Sequence, residues 1–181
     1  MGWQAGALAT LVDFGKGFVS AGVVAPLIRI DPIPPGLALF GWDKSVVLGL
    51  LAGITAVVGH MYPIFARFEG GKGVNTAAGM LFALTPLTMA ITLAVFATVL
   101  FSSRYVSLSS ITSAVAFPTI VALRRYAFGA DLDPSLLVFG ALLAFAIVVA
   151  HRSNIQRLVN GTESQISSFS PAQGMLGRGE L

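Results

Sequence analysis

Six apolar segments dominate this chain and constrain its fold more than any other feature. They cover residues 5–28, 46–61, 74–84, 87–101, 108–123 and 136–150. Only 10% of the 181 residues are charged and 55% are apolar, with a mean hydropathy of +0.83. A soluble domain carries about a quarter charged residues, so the surface of this fold cannot be mostly wet. The charge deficit, more than the apolar excess, predicts an all-α, polytopic integral membrane helical bundle. Basic residues are scattered along the chain, which argues against nucleic-acid binding and for loop anchors and ligands of anionic groups. The absence of cysteine excludes disulfides, thiolate metal sites and a cysteine nucleophile. No basic stretch precedes the first apolar segment, so no secretory signal is read there. The two histidines have no carboxylate at metal-ligand spacing, so no metal is expected.

Crossing the hydrocarbon takes roughly 20 helical residues; the first segment is long enough and several others are short. Residues 74–101 form either one tilted helix or two short helices broken at Thr85-Pro86. Proline removes a backbone donor and disfavours helix in the residue before it, which favours the break. One crossing would put the polar stretches 70–73 and 151–163 on opposite membrane faces. A path in and back would put them on one face with Arg67, Lys72, Arg104, Arg152, Arg157 and Arg178. Arg29, Lys44, Arg124 and Arg125 would then share the other face with Asp31, Asp43, Asp131 and Asp133. The second arrangement is preferred because it lets the polar clusters meet. Residues 1–163 are read as one membrane-embedded domain, and the Ser/Gly/Gln-rich residues 164–181 as a disordered tail.

The polar stretch from Gly59 to Thr76 carries Gly70-Gly71-Lys72-Gly73 just before an apolar helix. Glycine N–H groups, a helix N-terminus and a lysine can together hold one anion. The bland alternative is a tight turn at the membrane surface. It is not a Walker A loop, because Ala66 stands where that pattern needs glycine and Gly73 where it needs Ser or Thr. In a second cluster, His151 and Asn154 would share a face if the preceding helix continues, offering a base beside an amide. Arg152 and Arg157 there could bind phosphate, pair with Glu163 or meet lipid headgroups. In a third, Ser102–Ser110, an interfacial Arg104 and Tyr105 close a short loop. Asp13 and Lys16 are neighbours on the first helix, either as a structural ion pair or with Lys16 near an anionic substrate.

The motif Gly59-His60-x-x-Pro63-x-Phe65-x-x-Phe68-x-Gly70-Gly71-Lys72-Gly73-Val74-x-Thr76 resembles the central motif of the bacterial acyl-phosphate:glycerol-3-phosphate acyltransferases (PlsY). Arg104-Tyr105-Val106-Ser107-Leu108 and His151-Arg152-x-Asn154-Ile155-x-Arg157-Leu158-x-x-Gly161-Thr162-Glu163 resemble its two downstream blocks, and Asp13-x-x-Lys16-Gly17 its second helix. The resemblance implies an integral enzyme of the bacterial inner membrane with its site toward the cytoplasm. It would move an acyl group from acyl phosphate to the 1-hydroxyl of glycerol 3-phosphate, giving lysophosphatidate and phosphate. No cofactor, CoA or acyl carrier protein is implied, and membrane lipids are the other partners. Gly70, Gly71, Lys72 and Gly73 would hold phosphate, and His151 and Asn154 would belong to the active site. Arg104 and Ser107 would line the substrate pocket, with Glu163 and Arg152 as structural support. The family's first helix and its Ser/Gly/Asn-rich loop have no counterpart in this sequence, so the contacts that they make are expected to be missing. The alternative reading is a non-catalytic membrane protein, a degenerate paralogue or a small anion transporter with its broken helix at Pro86.

Overall fold

The computed structural model describes residues 3–28, 41–64, 67 and 70–167. Among these, every regular element is helical. Helix α1 (Trp3–Val19) continues through a π-helical turn, Ser20–Val24, into Ala25–Leu27. Then follow α2 (Lys44–Met61), α3 (Val74–Leu84), α4 (Pro86–Ser103), α5 (Val106–Ala122, extended by a π-helical turn, Leu123–Ala127), α6 (Ser135–Ala150) and α7 (Arg152–Val159). Among the described residues, four stretches are long and apolar enough to cross a bilayer: Gln4–Leu27, Lys44–Met61, Pro86–Ser103 and Val106–Ala127. Helices α6 and α7 meet at a 61° bend and would make a fifth span only if counted together.

The break at Pro86 forms as the sequence predicts. Thr85 sits at φ −145°, ψ 70°, outside the helical region, and Pro86 opens α4 at the position where its missing N–H has no helical partner to lose. The pairing differs from expectation in one respect. Only α3, with 11 residues, is short; α4 has 18 and is a full-length helix. The chain enters along α3 and returns along α4, so Lys72 before α3 and Ser107 after α4 line the same cavity.

Helix α3 is the hub. Ala77, Met80 and Leu81 are buried there, and the core extends to Leu50 and Val57 of α2, Met89 of α4, Phe117 and Val121 of α5 and Leu143 and Ile147 of α6. Helix α1 crosses α3 at backbone contact. A Cβ at Gly17 would stand 1.9 Å from the Thr76 carbonyl oxygen, and one at Gly79 would stand 1.9 Å from that of Phe14. In lipid, where apolar side chains gain little by leaving their solvent, such close backbone approach is a main source of helix association. Large apolar side chains instead face outward, among them Leu11, Phe101, Leu142 and Phe145, which suits a lipid-facing surface.

Polar residues collect at the two ends. At the end away from Lys72, the Asp43 carboxylate caps α2 by accepting from Ser45 N (2.8 Å) and Val46 N (3.2 Å). The Asp43 N–H donates to Asp133 Oδ2 (2.5 Å), and Asp133 Oδ1 accepts from Ser135 N (2.8 Å) at the start of α6. Arg124 Nη1 donates to Thr88 Oγ1 (2.5 Å) at the same end. This matches the expected split of the basic residues, except that Arg29, Asp31 and Arg178 lie outside the described residues.

Candidate active site

Gly73 sets the geometry of the glycine loop. It adopts φ 77°, a left-handed conformation that costs little only without a Cβ, and stands as the N-cap of α3 with no side chain capping the helix. The first bond into the helix runs from Ala77 N to Gly73 O (2.8 Å), so the amides of the preceding turn point away from the helix without intrahelical partners. Gly71 lies at the Nε2 edge of the His60 imidazole, where a Cβ would be 2.3 Å from Nε2. Gly70 lies against the backbone of the α2 terminus, with a Cβ position 2.1 Å from His60 O. It shapes the loop from behind and is not among the residues lining the cavity.

That cavity has a volume of about 410 Å³ and is lined by Gly71, Lys72, Gly73 and Asn75 on one side, and by Ser107, His151, Asn154 and Glu163 on the other. The two polar clusters singled out in the sequence therefore converge. The Lys72 ammonium donates to Asn154 Oδ1. The Asn154 amide then donates to Glu163 Oε1 (2.7 Å), whose other oxygen accepts from Arg157 Nε (2.7 Å). This chain fixes the amide's orientation: its oxygen faces the ammonium and its NH₂ faces the carboxylate.

The electrostatics follow from this arrangement. Burial lowers the Lys72 pKa below the usual lysine range; Glu163 opposes the shift and Arg157 adds to it. The nearby Ser107 hydroxyl, the Asn154 amide and the Arg157 guanidinium hold the Glu163 carboxyl at about 2. Ser107 acts from outside hydrogen-bonding geometry, since its buried oxygen closes no hydrogen bond among the described residues. His151 is 3% exposed, and its Nδ1 lies 2.8 Å from the Ile147 carbonyl oxygen. A carbonyl can only accept, so Nδ1 carries the proton and Nε2 keeps a lone pair.

Several sequence expectations need correction. The helix does not continue straight through His151; it bends there by 61°, and the short helix after the bend buries one face, on which His151 and Asn154 sit at the expected i, i+3 spacing. Arg104 does not line the cavity. It is exposed, and its left-handed backbone (φ 62°) ends α4. Its carbonyl accepts from Ile166 N (2.9 Å), and Ser103 O accepts from Gln165 Nε2 (3.4 Å). These bonds hold residues 164–167 against the bundle; the rest of the tail read as disordered, residues 168–181, lies outside the described set. Arg152 is exposed and makes no ion pair among the described residues; Arg157 holds Glu163 instead. Asp13 and His60 line the cavity although sequence reasoning gave them no site role. The sequence signal that could have found them was the Asp13/Lys16 pair inside an apolar helix.

A second, apolar cavity, narrow at about 40 Å³, adjoins the polar one through Val74 and Ser110, which line both. Its walls are mainly apolar side chains of α3, α4, α5 and α6, with Phe117 and Gly140 in contact across it. The hydroxyls of Thr92, Ser110 and Ser113 donate to carbonyls of their own helices at 2.9–3.0 Å, so they offer mainly carbon to the space.

Residues 1–161 match the family model described as glycerol-3-phosphate acyltransferase. A glycerol-3-phosphate acyltransferase of Salinibacter ruber is 86% identical over 181 residues, which cover all of this chain and 79% of that protein. One from Chlorobium phaeovibrioides is 43% identical, with 92% of this chain and 77% of that protein covered. The fold matches crystal structures of PlsY (YgiH), an integral membrane glycerol 3-phosphate acyltransferase, at 30% identity. The glycerol 3-phosphate form gives a TM-score of 0.71, with 95% of this chain and 74% of that chain covered. The lysophosphatidic acid form gives 0.72, with 94% and 76% covered. With its apolar helices, this likeness makes the chain a multi-pass membrane protein. By sequence, fold and the meeting of its glycine loop with the histidine block, the chain belongs to the glycerol-3-phosphate acyltransferase family.

Proposed function

We propose that this protein transfers an acyl group from acyl phosphate to the 1-hydroxyl of sn-glycerol 3-phosphate, giving lysophosphatidate and phosphate. The observation that carries this reading is one cavity holding the bare N-terminus of α3, Lys72 and the lone pair of His151 Nε2. Both substrates bring phosphate, and their repulsion is what the site must offset. Helix amides behind Gly71 and Gly73 and the Lys72 ammonium supply positive potential for one phosphate. His151 Nε2 accepts the hydrogen bond of the 1-hydroxyl, and Ser107 donates to a substrate oxygen. The hydroxyl oxygen attacks the acyl carbon, and the bond from that carbon to the phosphate oxygen breaks. The proton goes to His151 or to an oxygen of the departing phosphate. An acyl phosphate is already activated, so no covalent enzyme intermediate, CoA or acyl carrier protein is required; proximity and charge neutralisation supply the rate.

The narrow apolar cavity beside it suits the first carbons of the donor's alkyl chain, with the head group in the polar space. The site opens toward the cytoplasm of the bacterial inner membrane in this reading. Arg67, Lys72, Arg104, Arg152 and Arg157 lie in segments at the site end, whereas the basic residues of the far end are offset by Asp43, Asp131 and Asp133, in keeping with the positive-inside tendency. The test is lysophosphatidate formation from acyl phosphate and glycerol 3-phosphate by protein reconstituted in lipid. Lys72→Ala and His151→Ala should each lower it by roughly 100-fold or more. Wild-type rates in both variants would end the site assignment.

A further inference from the structure

The Asp13–Lys16 pair of α1 has a third member. Lys16 Nζ lies 2.7 Å from Asp13 Oδ1 and 2.8 Å from His60 Nδ1, while Asp13 Oδ1 lies 3.2 Å from that same nitrogen. Three atoms at these separations cannot all attract one another. If Nδ1 carried a proton it would donate to Asp13 at the longer distance and face the ammonium, proton to proton, at the shorter one. If Nδ1 is bare, it accepts from Lys16 at 2.8 Å, and the ammonium, with three protons, also serves Asp13. The shorter contact must be the attractive one.

We propose that Lys16 fixes His60 in the Nε2–H tautomer, making the imidazole a donor to the phosphate held over the glycine loop. His60 Nε2 lies against Gly71 and makes no hydrogen bond among the described residues, and both residues line the polar cavity. The opposite tautomer would turn a lone pair toward an anion. This accounts for an ion pair inside an apolar helix, where either charge alone costs several kcal/mol: Asp13 holds Lys16, and Lys16 orients His60. His60 is then the group that meets the ligand and Lys16 a positioning residue. The inference rests on the phosphate-binding reading of the cavity but is tested apart from it.

The experiment is ¹⁵N-histidine NMR of the reconstituted chain, with and without glycerol 3-phosphate or inorganic phosphate. Wild-type His60 should show the protonated Nε2 and bare Nδ1 shifts, and Nε2–H should move on titration. Lys16→Met should switch the tautomer, because Nδ1, no longer needed as an acceptor, then carries the proton and donates to Asp13. Binding of the same two anions should weaken about tenfold or more in His60→Ala and His60→Asn. His60→Gln, which keeps a donor near the Nε2 position, should stay within about threefold of wild type. An Nδ1–H tautomer in the wild type, or equal affinity in His60→Ala and wild type, would overturn the inference. If neither anion binds the wild type, the phosphate reading itself fails, whatever the tautomer.

Discussion

Two helix starts at opposite ends of the bundle show opposite treatments of the same backbone problem. Each has amides with no partner inside its own helix. At α2, Asp43 accepts from Ser45 and Val46, and its own N–H is bound by Asp133. At α3, Gly73 supplies no side chain, and the amides face a polar cavity beside Lys72. A closed start contributes only to folding. An open start leaves its positive end available, at some cost in stability, to an anion that arrives later. Neighbouring charges follow the same division: carboxylates cap helices at the far end, and the lysine stands at the glycine loop.

Exchanging the two treatments gives the largest expected effect. Gly73→Asp would close the α3 start with a carboxylate and set a negative charge against the phosphate. Affinity for glycerol 3-phosphate should drop by roughly 100-fold, as for loss of several charge-assisted contacts. Gly73→Asn, with the same shape and no charge, should lose less. Isothermal titration of both variants, with helix content checked by circular dichroism, decides the matter; unchanged affinity in Gly73→Asp would mean that the bare amides are not used.

A smaller effect separates the lysine from the amides. The Lys72 pKa is lowered, chiefly by burial, so its charge is present below that value and lost as pH rises through it. Affinity should fall by up to about tenfold per pH unit there, earlier than an ordinary lysine would allow. Lys72→Arg should bind with little change across the same range, since a guanidinium keeps its proton. A flat profile in the wild type would assign anion binding to the backbone alone.

Glu163 gives a pH effect of the other sign. Its carboxyl titrates at about 2 rather than at 4.5. Its contribution to stability is complete above 4.5 and disappears as pH falls toward 2. Thermal unfolding followed through that window should show a loss in the wild type that Glu163→Gln lacks. Smallest is the α2 cap: Asp43→Ala should cost about 1 kcal/mol of stability and leave phosphate affinity unchanged. A loss of affinity there would mean that the two ends are coupled through the bundle.

Much of this arrangement was legible in the residues. Apolar runs set the helices, Pro86 the break between α3 and α4, and the glycines with Lys72 the open helix start. His151 and Asn154 were legible as a pair at i, i+3, but the 61° bend that turns their shared face toward the glycine loop was not. Arg104 and Arg152 were assigned to the site and its support, yet both face outward, while Arg157 reaches Glu163. Guanidinium side chains are long and fit many partners, so neighbourhood in sequence does not select among them.

Sequence alone determined that this chain makes membrane helices, that they break at Pro86, and which backbone amides stay uncapped, because each of these is settled by residues within a turn or two of one another. Tertiary structure decided which helix faces meet. The α1–α3 crossing at Gly17 and Gly79 goes with an α1 that carries Asp13 and Lys16 to His60, and folding of α7 onto the loop brings Asn154 to Lys72. Helical periodicity defines a face for every residue but does not name its partner; that choice depends on close fit between segments far apart in the chain.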